Sequence, residues 1–145
     1  MGLSGSKSMA YEYYIDAAVN CVFIRHFDTF EIGEGAGVLD EILKDPTYRK
    51  GMNFLRDISQ TSLATRMGDK SFIKEGRRLS KEYDIRLENG RIAWVLSSST
   101  DYAMVHRWTV TSRSSGAVER KPLRDIEKAR LWLGIPDDYK IKFPD

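Results

Sequence analysis

The amino-acid sequence predicts an α/β fold with the element order ββαβαβαβα: a mostly parallel five-stranded sheet whose N-terminal strand is antiparallel, with four helices packed on it. Three observations lead there. Short runs rich in β-branched and aromatic residues alternate with longer stretches whose apolar residues recur at helical spacing, the alternation that builds a parallel sheet with helical crossovers. The first two strand-like runs are joined by a link too short to hold a helix, so they pair as a hairpin. Finally, 145 residues suffice for one hydrophobic core and not two. A single domain is expected over residues 10–139, after a small, polar lead at 1–9 that reads as disordered and before a polar tail at 140–145.

Tyr11 to Ala17 and Cys21 to Phe27 form the hairpin, with Asn20 in the link. The second run, CVFIRHF, is almost continuously apolar, as expected of a strand covered on both faces. Asp28 or Thr29 can cap the next helix, whose inner face is Ile32, Ala36, Leu39 and Leu43 and which stops before Pro46. Inside it Gly33, Gly35 and Gly37 each cost about 1 kcal/mol against alanine. Their spacing is not the GxGxxG of a dinucleotide loop, and close packing on the sheet or a frayed first turn explains them better.

Asn53 to Ile58 is a short buried strand, followed by a hydroxyl-rich loop and a helix from Lys70 to Tyr83. Phe72, Gly76, Leu79 and Tyr83 fall on its inner stripe. Lys70, Lys74, Arg77, Arg78 and Lys81 lie opposite, interrupted by Glu75 and Glu82, which reads as a solvated face. Asn89-Gly90 turns the chain into the strand Arg91 to Leu96. The run Ser97, Ser98, Ser99, Thr100 leads into a helix from Asp101 to about Ser112, with Met104, Val105 and Trp108 inward. Ala117 to Lys121 is a charged edge strand. Pro122 opens the last helix, which buries Ile126, Ala129, Trp132 and Leu133 and ends at Gly134 and Pro136.

Composition excludes several classes. Hydrophobic residues at 41% and charged residues at 30% are ordinary globular values, and no apolar run approaches the length of a membrane span. A net charge of +2 is too small and too scattered for nucleic-acid binding. The one cysteine, Cys21, precludes a disulfide framework and points to a reducing, cytoplasmic setting. Gly2 with Ser6 fits a loose myristoylation pattern, but no basic cluster follows to supply a second membrane signal. His26 in a strand and His106 on a helix have no cysteine cluster for zinc and no nucleophile motif nearby, so no cofactor, metal or catalytic set is expected.

Three stretches, FLRDIS at Phe54 to Ser59, RIAWVL at Arg91 to Leu96 and LRDIEKARLWLG at Leu123 to Gly134, together with the element order, resemble the SpoIIAA-like family. This is the fold of STAS anti-sigma-factor antagonists, grouped with the lipid-binding Sec14-type domains. The third stretch is similar to the terminal Ala-x-x-Trp-Leu helix of an uncharacterised bacterial branch, and the resemblance spans Tyr11 to Tyr139. In STAS antagonists a strand-ending Asp precedes a phosphorylatable Ser or Thr at a helix N-terminus. Asp57 matches that acid, and Ser59, Thr61 and Ser62 are the candidates for the hydroxyl. The family's Asp-Ser-x-Gly signature is absent, and the loop to Asp69 is longer.

If the sheet is parallel, the carboxyl ends of its strands bring Asp28 and Thr29, Asp57 and Ser59, and Ser97 to Thr100 to one edge, where open α/β sheets place ligands. Hydroxyls and N–H groups at helix starts suit an anion or polar headgroup; the same residues are also ordinary helix caps. The candidate binding residues are Asp57, Ser59, Thr61, Ser62, Ser97, Ser99 and Thr100. The favoured function is a non-enzymatic domain that binds a protein partner through the loop after the third strand, and homodimerisation through an edge strand is compatible with it. The alternative is a carrier or sensor of a small amphipathic or anionic ligand. An enzyme using Asp57 as base lacks a second catalytic group.

Overall fold

The computed structural model describes residues 3–7, 11–27, 32–61, 69–111 and 118–143. The elements run β1 (Leu3–Lys7), β2 (Tyr11–Asp16), β3 (Cys21–His26), α1 (Ile32–Leu43), β4 (Asn53–Asp57), α2 (Asp69–Tyr83), β5 (Arg91–Val95), α3 (Ser99–Thr111), β6 (Glu119–Leu123) and α4 (Ile126–Trp132). The strands form one sheet in the order β1-β2-β3-β4-β5-β6. β1, β2 and β3 pair antiparallel, and β3 to β6 pair parallel.

The five expected strands and four helices are all present, with three corrections. Leu3–Lys7, expected to belong to a disordered lead, is a sixth strand that pairs with β2 from Leu3 opposite Asp16 to Lys7 opposite Glu12. Its polar composition gave no apolar signal, and pairing with an available edge supplies the order instead. Pro122 does not open the last helix. It lies inside β6, paired with Trp94, at a sheet edge where a missing N–H is tolerated; the helix starts at Ile126 behind an Asp125 cap whose carboxylate accepts from Glu127 N at 2.7 Å. The segment after α4 is no polar tail either: Tyr139, Ile141 and Phe143 pack on the sheet.

The hairpin link works as its sequence implies. Asp16 caps a single 3-10 turn at Ala17–Val19, and Asn20 closes it in the left-handed region at φ 53°. At the second turn signal Asn89 takes φ 74°, and a Cβ on Gly90 would lie 2.3 Å from the Met52 carbonyl oxygen. Only glycine fits there. The glycines of α1 need a different account: Gly37 is exposed, and a Cβ added to it would meet nothing within 4 Å, so close packing does not explain it. Gly33 and Gly35, like the caps Asp28 and Thr29, lie outside the residues whose surroundings are described.

Strand order decides where the helices go. Each parallel strand from β3 to β6 lies beside the next in sequence, and a right-handed crossover repeated in one direction puts every connecting helix on the same face. Accordingly Val38, Leu39 and Ile42 of α1, Tyr83 of α2, and Met104, Val105 and Trp108 of α3 share one core with Ile24, Phe54, Ile92 and Trp94 of the sheet. α4 follows the last strand and covers the other face, burying Ala129 and Leu133 against Phe23, Leu55, Ala93 and Val95.

Candidate functional site

The switch-point crevice of an open α/β sheet forms where strand order reverses and adjacent helices leave to opposite faces. This sheet never reverses. Among the described residues the carboxyl edge carries turns and caps, and the hydroxyls of Ser59 and Ser98 are engaged locally. Asp57 is buried, and its Oδ1 accepts the Ser59 backbone N at 2.9 Å and the Ser59 hydroxyl at 2.5 Å, a tight Asx turn. Thr61 is buried, with its N donating to the Ile58 carbonyl at 3.2 Å. Ser97, Ser99 and Thr100 are exposed, and the Ser97 carbonyl accepts from Arg124 at 3.1 Å. Ser98 caps α3, its Oγ accepting from Asp101 N at 3.1 Å. Ser62 lies outside the described residues.

The structure offers a different concavity. Helices about 10 Å across must share a parallel sheet whose strands lie about 4.8 Å apart, so three of them on one face cannot all lie flat on it. The middle helix, α2, is held mainly by α1 and α3. Beneath it opens a cleft with about 40 Å3 of enclosed space, the remainder open to solvent. Its floor is Arg56, Ile92, Trp94 and Arg120 of the sheet; its walls come from Ala36 and Leu39 of α1 and Trp108 of α3, and its roof from Gly76, Leu79, Ser80 and Tyr83 of α2.

Gly76 is what lets α3 close one wall, since a Cβ there would stand 2.7 Å from Trp108 Nε1. Trp94 and Trp108 meet edge to face at 5.2 Å between ring centroids. Each carries a guanidinium: Arg56 lies 5.1 Å over Trp94, and Arg120 lies 5.2 Å over Trp108. Arg120 also makes a two-pronged bond to Asp84, with its NH1 donating to Oδ2 at 3.1 Å, in a pair almost wholly withdrawn from water. Tyr83 reaches out of the roof to α1 and donates to Asp40 Oδ1 at 2.6 Å; that bond, with burial, pushes the phenol up to about 12.

His26 ends β3 and is fully buried. Burial first, and the neighbouring positive charge of Arg56 second, hold its imidazole well below its ordinary pKa, so it is neutral at physiological pH. His106 is exposed on α3. Cys21 is buried, and desolvation pushes its thiol up, which leaves it an inert part of the core. Among the described residues, no group of three or more His, Cys, Asp or Glu is arranged to hold a metal ion, and no helix is long and apolar enough to cross a membrane.

Sequence reasoning selects Asp57 and misses Arg56, one residue before it. Side chains alternate along β4, with Phe54 and Arg56 toward the three helices and Leu55 toward α4. A charged residue in an otherwise apolar strand is the available signal, but which face it occupies depends on strand order. Arg120 reads in the sequence as part of a charged edge, and Ser80 carries no sequence signal.

No protein-family model and no curated protein matches the chain. Among solved structures it is similar to an uncharacterized protein of the DUF3478 family from Shewanella loihica PV-4, described as having a SpoIIAA-like fold. The likeness has 14% sequence identity and a TM-score of 0.47, and covers 90% of this chain and 91% of the other.

Proposed function

We propose that this chain is a non-enzymatic, cytoplasmic carrier or sensor that holds a small amphipathic anion in the cleft beneath α2. One observation carries the reading: two arginines, Arg56 at 4% exposure and Arg120 with a side chain at 9%, stand on the floor of a cleft whose other surfaces are chiefly apolar. Buried guanidinium is costly unless it meets rings and anions. Here both meet rings and Arg120 also meets the Asp84 carboxylate, and an entering anion would add further charge-assisted hydrogen bonds at low dielectric. Apolar walls with a few convergent polar groups are the ordinary make-up of a small-molecule site.

Binding of a protein partner through the loop after β4, the reading the sequence favours, rests on residues 62–68, which lie outside the described residues. Within the described part of that turn, Asp57 and Ser59 bond to each other. The cleft therefore has the stronger support.

The test is a titration with 8-anilinonaphthalene-1-sulfonate, an amphipathic anion that fluoresces when it leaves water. The expected result is saturable binding that weakens at least about tenfold in Arg56→Met, the scale of one charge-assisted hydrogen bond. Dye binding that is absent, or equal in the two proteins, would count against the cleft.

A further inference from the structure

We infer that the ligand's polar head is a single carboxylate, received by the Ser80 hydroxyl and the Arg120 guanidinium, and that its body is a flat aromatic group lying on the apolar walls. This rests on the reading of the cleft as a ligand site and adds the chemical class of the ligand.

Ser80 is the first reason. It lies inside α2, 4% exposed, lines the cleft, and its Oγ has no hydrogen-bond partner. A buried hydroxyl is normally satisfied, and a serine within a helix has the preceding turn's carbonyl at hand for that purpose. An unpartnered hydroxyl in the lining of a cleft matches a ligand oxygen. Arg120 is the second reason. Its NH1 and NH2 go to Asp84, and its ring partner Trp108 holds the guanidinium plane in place. The guanidinium is thereby oriented, and its remaining N–H donors are of the kind that recognise carboxylate oxygens.

Charge sets the class. Asp84 brings a negative charge beside Arg120, and a dianionic head such as a phosphate monoester would bring two more charges against it at low dielectric. His26 is neutral, which leaves Arg56 as the other positive charge at the floor. A monoanion meets less of this repulsion. The body follows from the walls: Ala36, Leu39, Leu79 and Ile92 offer no hydrogen bonds, while Trp94 and Tyr83 offer ring surface.

The experiment is calorimetry on the full chain with three probes sharing one ring system: 2-naphthoate, 2-naphthamide and 2-naphthyl phosphate, at about pH 7.5 where the phosphate is mostly dianionic. The naphthoate is expected to bind at least about tenfold more tightly than either of the others, and Ser80→Ala to weaken it by about tenfold with the thermal midpoint unchanged. Naphthyl phosphate or naphthamide binding as tightly as naphthoate would overturn the inference, and so would naphthoate binding that ignores Ser80→Ala or that never occurs. In each of those cases Arg56-dependent binding of the sulfonate dye would leave the wider reading standing. Loss of that dependence as well would remove both.

Discussion

On one face of the sheet three crossover helices leave a cleft lined by two arginines and two tryptophans; on the other, one helix and an extended segment after it close over a stack of rings. There Phe23 lies between Tyr14 at 4.6 Å and Tyr139 at 5.6 Å, both stacked, and Phe143 meets Tyr14 edge on. Tyr139 OH donates to Asp16 Oδ2 at 2.8 Å, and Lys142 N donates to Tyr14 OH at 3.1 Å. The difference follows from what each segment must do. A crossover helix has to return the chain to the next strand, and three such obligations crowd one face. The described residues after β6 have no strand to reach, so they settle into the packing that excludes most water. Topology leaves the gap on the crossover side, and the closed face stabilises the fold that contains it.

The closed face is the costlier of the two to disturb. Phe23→Ala removes a fully buried ring from between two others and is expected to cost about 3–5 kcal/mol in urea unfolding, without altering dye affinity in whatever fraction stays folded. On the cleft face, Asp84→Asn leaves Arg120 buried beside a neutral partner and should cost about 3 kcal/mol, again read from the urea midpoint. Gly76→Ala drives a methyl into Trp108 and is expected to lose about 1–3 kcal/mol and to change tryptophan fluorescence, because the indole must move.

Acidity separates the faces more gently. The folded state keeps His26 neutral, whereas an unfolded chain takes up its proton as pH falls through about 6.5. The folded pKa is the lower one, so stability present above that pH is lost below it, at up to about 1.4 kcal/mol per pH unit. Unfolding midpoints between about pH 7 and 5 should fall less steeply in His26→Gln than in the parent. The smallest effect has the opposite sign: Gly37→Ala meets open space and should add about 0.5–1 kcal/mol through helix propensity.

Most of the architecture is legible because periodicity reports burial directly. The nearly continuous CVFIRHF marks a central strand, and the stripe through Met104, Val105 and Trp108 marks a helix, both as found. β1 is not legible, since LSGSK carries no apolar alternation and its strand is seen in its pairing with β2. Pro122 misleads for a related reason: its fixed φ suits a first helical turn or an edge strand equally, and tertiary position decides. The candidate site depends on one quantity the sequence does not hold, the spatial order of the strands. A reversed order would have made a crevice near Asp57; the unbroken order puts all three crossovers on the Arg56 side and leaves Asp57 holding a turn.

That unbroken order also bears on how the molecule is made. Each described strand after β1 neighbours the one synthesised before it, so none of them has to be inserted between two partners already paired. The sheet can lengthen sideways as the chain leaves the ribosome, from the Leu3–Lys7 hairpin toward β6, each new edge covered by the next arrival. Each parallel pairing closes a connection that holds a whole crossover helix, which makes it slower than the two antiparallel pairings before it. The ring stack comes after the sheet, because Tyr139 and Phe143 follow all six described strands. Until they emerge, Phe23 and Tyr14 lack two of the rings that cover them, so arrival of that segment is the step that completes the closed face.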